Sequence, residues 1–355
     1  MRFLTLGLLK CIQCASNSLC LKLRGKEKEF RSKDVSDIPV TGALEEIQEG
    51  IVVCESCFFY YTIGVQGLGI LDASPAHFRD PLKEKEVLEG WGFDTSKLRL
   101  KIPRLNAREK WLLTQFKEAM KAYENPGECW SIDELEMMPY FLRILKKGGV
   151  VLDLAGGYGR CVPSLLERAG FIVLGDLSSK ELNVGKELLK DLRRVDFVRL
   201  NMLNPPFKEK VFDGIWFTQA FEYVPPDKLE KFIENISRIL KPGGVFFGNI
   251  ERQPLWRLLK AYLSLRLKGN PAKLGEYHYK LKDGLLHYHS VPTLTRSRIE
   301  RLFEKYDLVT VCKQDYHKEG SYPLVYLLQR QEEIVSCKSS TNWRNSGLTN
   351  RSQEN

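Results

Sequence analysis

No stretch of the chain approaches the roughly 18 consecutive apolar residues that a membrane-spanning helix needs; the longest candidates are short runs such as Gly148 to Ala155. No transmembrane segment is expected. A secretory leader fits no better, because Lys10 cuts the opening run Phe3 to Leu9 and no small-residue cleavage site follows. The expected localisation is cytoplasmic. No internal repeat is visible, and residues 331–355 are short of apolar side chains and rich in Ser, Asn and Gln, so a disordered tail is expected there. The rest of the 355 residues, 43% hydrophobic and 28% charged over the whole chain, is too apolar for disorder and too long for one average domain.

Basic residues outnumber acidic ones by 54 to 45, and the excess is concentrated. Between Glu251 and Arg301 eleven cations face four acids, which places +7 of the net +9 in one segment. Five of the nine cysteines lie in the first 57 residues, four of them as the pairs Cys11/Cys14 and Cys54/Cys57. In a cytosolic chain two C-x-x-C pairs point to a metal rather than to disulfides. Four thiolates converging from two knuckles suit Zn2+, so Cys11, Cys14, Cys54 and Cys57 are the expected metal ligands.

Four regions follow from these textures. Residues 1–75 form an N-terminal cysteine-bearing domain that closes at Asp72-Ala73-Ser74-Pro75. Residues 76–146 carry apolar positions at helical spacing, such as Trp111, Leu112, Phe116, Ala119 and Met120, and read as a helical lead-in. From 147 to 330 short apolar runs alternate with amphipathic stretches, the pattern of a mainly parallel α/β sheet. Strands are expected at Val150–Leu154, Phe171–Gly175, Asp196–Leu200, Phe212–Phe217 and Gly244–Ile250, with two more near 307–313 and 323–329 flanking the tail.

The first of these strands runs into Ala155-Gly156-Gly157-Tyr158-Gly159-Arg160, a glycine-rich turn that opens a helix and leaves amide donors free for a ligand. Dinucleotide folds use a similar loop, but Val162 stands where their third glycine would be. Three further motifs keep register: an acid closing the second strand at Asp176, Asn201-Met202 closing the third, and Lys241-Pro242-Gly243-Gly244 leading into the fifth. Together they resemble the class I S-adenosylmethionine-dependent methyltransferases. The resemblance implies a Rossmann-like, seven-stranded α/β sheet, which the small N-terminal zinc-binding domain expected from the cysteine pairs would precede.

It further implies that Gly157 and Gly159 cradle the methionine end of S-adenosylmethionine, with Asp153 and Ala155 in the loop. Asp176 with Leu177 would hold the ribose, Asn201 with Met202 would flank the adenine, and Gln219 would face the donor. The family commonly has Asp where Asn201 stands. Asn204-Pro205-Pro206-Phe207 matches a motif that grips planar amide nitrogens in adenine-N6 and glutamine-N5 methyltransferases. There it follows the fourth strand; here it precedes Phe212 to Phe217, so a proline loop is expected. Around the cysteines, the apolar pattern resembles the small zinc-binding activator subunit that partners several tRNA, rRNA and release-factor methyltransferases, although Thr62 stands where that family usually has proline.

Acceptor-side candidates are Glu222, Tyr223, His287 and His289; either histidine would serve as base if the acceptor must lose a proton. The basic segment 251–301 has three readings: an amphipathic helix with a solvated basic face, an RNA-binding surface with Tyr277, Tyr279 and Tyr288 stacking on bases, or a membrane or acidic-protein surface. An RNA acceptor is the expectation, with a small molecule or protein as alternatives. Two other classes stay open at this level, a nicotinamide-dependent oxidoreductase and a non-catalytic adaptor with a degenerate fold.

Overall fold

The computed structural model describes residues 1–26, 29–33, 45–67, 69–122, 132–280, 286–315 and 324–331. The expected tail, apart from Gln331, lies outside the described residues.

Five strands run parallel: β6 (Val150–Leu154), β7 (Phe171–Asp176), β8 (Val195–Arg199), β9 (Phe212–Phe217) and β10 (Leu240–Ile250). Two more complete the seven, β14 (Leu324–Arg330) antiparallel to β10 and β13 (Leu308–Asp315) antiparallel to β14, in the order 13-14-10-9-6-7-8. Their near-continuous apolar runs are those of strands covered on both faces. Alternation sends Leu152, Leu154 and Val173 into one core and Val151, Ile172 and Leu174 into the other. Lys241-Pro242-Gly243-Gly244, expected to lead into the fifth strand, lies within it: the chain is already paired at Leu240, and these residues form a bulge with Gly243 at φ 76°.

The sheet does not end at β8. Beyond it come β5 (Leu71–Asp72), β4 (Tyr60–Ile63), β3 (Gly50–Cys54), β1 (Leu19–Leu23) and β2 (Glu29–Arg31), giving twelve strands in one sheet. β5 pairs parallel to β8, and the buried Asp72–Arg199 ion pair at 3.0 Å fastens the junction. Leu21, Val52 and Ile63 share a core with Leu152 and Val198. Strand content in the N-terminal residues was not anticipated from their sequence.

Helices cover this sheet: α1 (Phe3–Leu8), α2 (Pro81–Gly90), α3 (Ala107–Ala122), α4 (Ile132–Ile144), α5 (Val162–Leu165), α6 (Ser179–Leu188), α7 (Leu229–Ile239), α8 (Leu255–Leu267) and α9 (Arg296–Lys305). The helical lead-in is therefore α2, α3 and α4. A separate hairpin, β11 (Glu276–Lys280) with β12 (Leu286–Ser290), was not anticipated either. It packs against α3 and α8, and Arg108 of α3 locks it by gripping the buried Glu276.

Candidate active site and cysteine cluster

At the end of β6 the backbone turns through three left-handed residues, Ala155 (φ 54°), Gly157 (φ 56°) and Gly159 (φ 81°). Between them a side chain on Gly156 would come within 2.5 Å of Leu174 and 2.6 Å of Asp153, so the loop lies flat on its strands only with glycine there. Asp176, at the tip of β7, accepts from the Gly157 amide at 3.0 Å and the Ser178 amide at 2.8 Å. Burial nonetheless raises its carboxyl above the usual range.

A cavity opens over this loop. Asp153, Ala155, Gly157, Asp176, Leu177, Asn201, Met202 and Gln219 all line it, so eight of the nine donor-side candidates meet at one place. Gly159 does not line it. A side chain there would strike Leu189 at 2.8 Å and Leu174 at 2.9 Å, which makes Gly159 a packing glycine rather than part of the cradle. Asn201 spends its side-chain oxygen on the Leu203 amide at 3.0 Å, bending the loop rather than facing a ligand with that atom.

Asp153 is 2% exposed, and its Oδ2 has no hydrogen-bond partner. Burial pushes its carboxyl up to about 7, with the Arg160 guanidinium opposing and the Glu134 and Asp176 carboxylates adding to the rise. An orphaned acceptor in a cavity wall fits a cationic ligand group, which is what the methionyl ammonium of S-adenosylmethionine is.

Several residues that build the site escaped the sequence reading because they come from α3, which lends wall residues, and from α4, whose acids brace wall residues from behind. Glu134, fully buried, pairs with Arg160 at 2.5 Å and accepts from Gln219 Nε2 at 3.2 Å. Its neighbour Asp133 accepts from Asn249, whose side-chain oxygen in turn accepts from the Gln219 amide at 2.8 Å. The available signal was an adjacent acid pair at the start of a helix on the same face as the apolar Met137, Met138 and Phe141. From α3, Phe116, Ala119 and Met120 close the cavity opposite the loop.

Of the acceptor-side candidates only Tyr223 lines the cavity. Its hydroxyl lies 3.2 Å from His287 Nδ1, and His287 Nε2 lies 3.1 Å from the Ala119 carbonyl. The carbonyl requires a proton on Nε2, so neutral His287 accepts from Tyr223 through Nδ1. Glu222 is buried in the same short turn, whose carbonyls at Glu222 and Val224 accept from Ser290. His289 stands one ring further back, packed edge-on against Tyr223, with Nδ1 3.3 Å from Glu251. Despite burial, hydrogen bonds from His289 and Tyr277 hold the Glu251 carboxyl below its usual range.

Asn204 is exposed and absent from the cavity wall. Its neighbours Pro206 and Phe207 instead dock the N-terminal segment: the Pro206 carbonyl accepts from Lys10, and Phe207 bridges to Leu9.

At the far end of the sheet the four cysteines converge, all sulfurs within 4.8 Å of one another, with Cys11–Cys57 and Cys14–Cys54 at 3.6 Å. A thiolate tetrahedron of radius about 2.3 Å has edges of about 3.8 Å, so the spacing suits zinc. Both knuckles share one backbone device: the residue after each second cysteine, Ala15 or Phe58, is left-handed at φ 60° and 61°. Each then bonds back to the first cysteine, Ala15 N–H to Cys11 and Phe58 N–H to Cys54, at 2.9 Å. Two non-glycine residues kept in that region are strain the site sustains.

Residues 151–244, from β6 through the Lys241-Gly244 bulge, match the family model described as a methyltransferase domain. The chain thus carries a methyltransferase domain. The match takes in both the glycine loop and the Lys241–Gly244 element, which a dinucleotide-binding reading would leave unaccounted for. The chain is 39% identical over 106 residues to the ubiquinone/menaquinone biosynthesis C-methyltransferase UbiE of Pseudoalteromonas translucida, covering 28% of this chain and 41% of that protein. It is 36% identical over 134 residues to the UbiE of Francisella tularensis subsp. novicida, covering 36% and 53%. It thus spans about half or less of the curated relatives it matches. Among solved structures, the 1,6-didemethyltoxoflavin-N1-methyltransferase of Burkholderia thailandensis is similar at 18% identity and a TM-score of 0.48, over 65% of this chain and 94% of that one. Among the described residues no helix is long and apolar enough to cross a membrane.

Proposed function

We propose that the protein transfers a methyl group from S-adenosylmethionine to a small-molecule acceptor, and that one structural Zn2+ on Cys11, Cys14, Cys54 and Cys57 holds its N-terminal strands. The observation that carries the methyl-transfer reading is the orphaned Asp153 carboxylate, set between the glycine loop and Asp176 in the one cavity where the donor-side residues meet. When bound, S-adenosylmethionine supplies an electrophilic methyl on a sulfonium. The residues do the rest by placement: Asp153 faces the cationic end, Asp176 stays rigid on two amides, and Phe116, Ala119 and Met120 keep water out.

A small acceptor is favoured over RNA by the fate of the aromatics. Tyr277 and Tyr288, which an RNA surface would need to expose, are buried, and Tyr279 alone of the three is exposed. The curated relatives are named for C-methylation in quinone biosynthesis, a chemistry in which the acceptor carbon gains methyl and loses a proton. Tyr223 is the polar group placed to receive that demand, with His287 behind it as proton acceptor. Incubation with methyl-labelled donor and separated small-molecule, RNA and protein fractions decides the class: label confined to RNA or protein overturns the small-molecule reading. On the acceptor so found, Tyr223→Phe is expected to lower kcat about 100-fold with donor affinity unchanged. Equal kcat in the variant would remove Tyr223 from the chemistry.

A further inference from the structure

Among the described residues the outer arc of α8 is uncovered and largely apolar, Arg266 being the one charge within it. Its inner arc is occupied, Leu258 packing on Tyr277 and Val291. On the other side Leu255, Trp256, Leu259, Leu263 and Leu267 are 59, 68, 43, 57 and 88% exposed. At about 100° per residue these five fall within roughly 120° of the circumference. Water contact on five large apolar side chains of one helix is costly, and such a patch marks a surface that is covered in use.

Charge decides what covers it. From Arg252 to Gly275 the chain carries six cations and no acid, and among the described residues none of Arg252, Lys260, Arg266, Lys268 or Lys273 is held in an ion pair. A second copy laid on this face would bring those cations against themselves. RNA would satisfy the cations and leave the leucines in water. An anionic bilayer satisfies both, taking the apolar arc below its headgroups, the cations at their level and Trp256 at the boundary. We infer that α8 docks the protein on an anionic membrane surface. The buried arc of the same helix meets the acceptor side: Tyr277 packs on Leu258 and donates from its hydroxyl to Glu251 at 2.6 Å, beside His289. The inference stands on the helix surface and holds or fails whatever the chain methylates.

The test is sedimentation of the full chain with vesicles of phosphatidylcholine alone or mixed with phosphatidylglycerol. The protein is expected to sediment with the mixed vesicles at low salt and to be released as salt rises. Leu259→Glu with Leu263→Glu abolishes binding, and circular dichroism of that variant is unchanged because both side chains already face water. Lys260→Gln, Arg266→Gln and Lys268→Gln together weaken binding to the mixed vesicles about fivefold per cation, on the order of 100-fold in all. Failure to bind the mixed vesicles overturns the inference, as does binding that the leucine pair leaves intact. A dimer in ultracentrifugation that the leucine variant splits would assign the face to a second copy. RNA binding that the cation variant loses, without vesicle binding, would assign it to RNA.

Discussion

Cys54→Ser is expected to strip zinc from the protein and lower its melting temperature by about 5 °C or more. Cys54 closes β3, which lies between β4 and β1, so the ligand and the middle of the N-terminal sheet are one piece of backbone. The knuckle strain at Ala15 and Phe58 has to be offset by something, and a four-thiolate ion contributes binding free energy on the order of 10 kcal/mol to folding. Losing one ligand forfeits part of that, and the loss spreads because β1, β3 and β4 share a core with β6 and β8. Cys20→Ser is the control. Cys20 is buried too, but its thiol lies 3.4 Å from Glu29, outside the cluster, and zinc content should not change. Elemental analysis of purified protein checks both variants; wild-type protein purified without zinc would end the proposal.

The parts of this molecule that the sequence made legible are those where one residue type answers one local demand. Val150 to Leu154 and Phe212 to Phe217 read as strands because a parallel strand covered on both faces must be apolar throughout. The glycine loop read as a ligand turn because glycines follow a strand and open a helix, and two of them, Gly157 and Gly159, are left-handed. Where residues serve distant partners the text was opaque. Nothing in Glu134 or Asp133 shows that they will meet Arg160 and Asn249. The hairpin misled for a related reason: cross-strand pairing puts Tyr277 opposite His289 and Tyr288 opposite His278. With α8 on one side and Trp111 and Phe116 of α3 on the other, both faces are covered. Two of the three tyrosines that looked available for stacking on bases, Tyr277 and Tyr288, are thus core. Of the three readings of the basic segment, the amphipathic helix is there as α8, and of its leucines only Leu258 and Leu265 are buried.

Asp153→Asn is expected to move donor affinity and stability in opposite directions. In the folded protein the carboxyl titrates near 7 instead of its ordinary 3.8. Between those values the folded state holds a proton that the unfolded chain has released, so stability from this group falls as pH rises through that window. Above about 7 the whole cost stays, on the order of 3 kcal/mol for a group this buried. Asparagine removes the charge but leaves an amide to satisfy, which returns about 1–3 kcal/mol of cost. At pH 8 the empty variant should therefore be as stable as wild type or more so, by up to about 2 kcal/mol. Donor binding reverses the sign. A cationic methionyl group next to Oδ2 favours the ionised carboxylate, so wild-type affinity should rise with pH up to about 7 and then level off. The asparagine variant should bind about 10-fold more weakly at pH 8 and show no such rise. Calorimetric titration from pH 6 to 8.5 with thermal melts of the empty protein measures both halves. A variant that binds as tightly as wild type at pH 8 would leave the orphaned oxygen without its ligand and take away the observation on which the donor site rests.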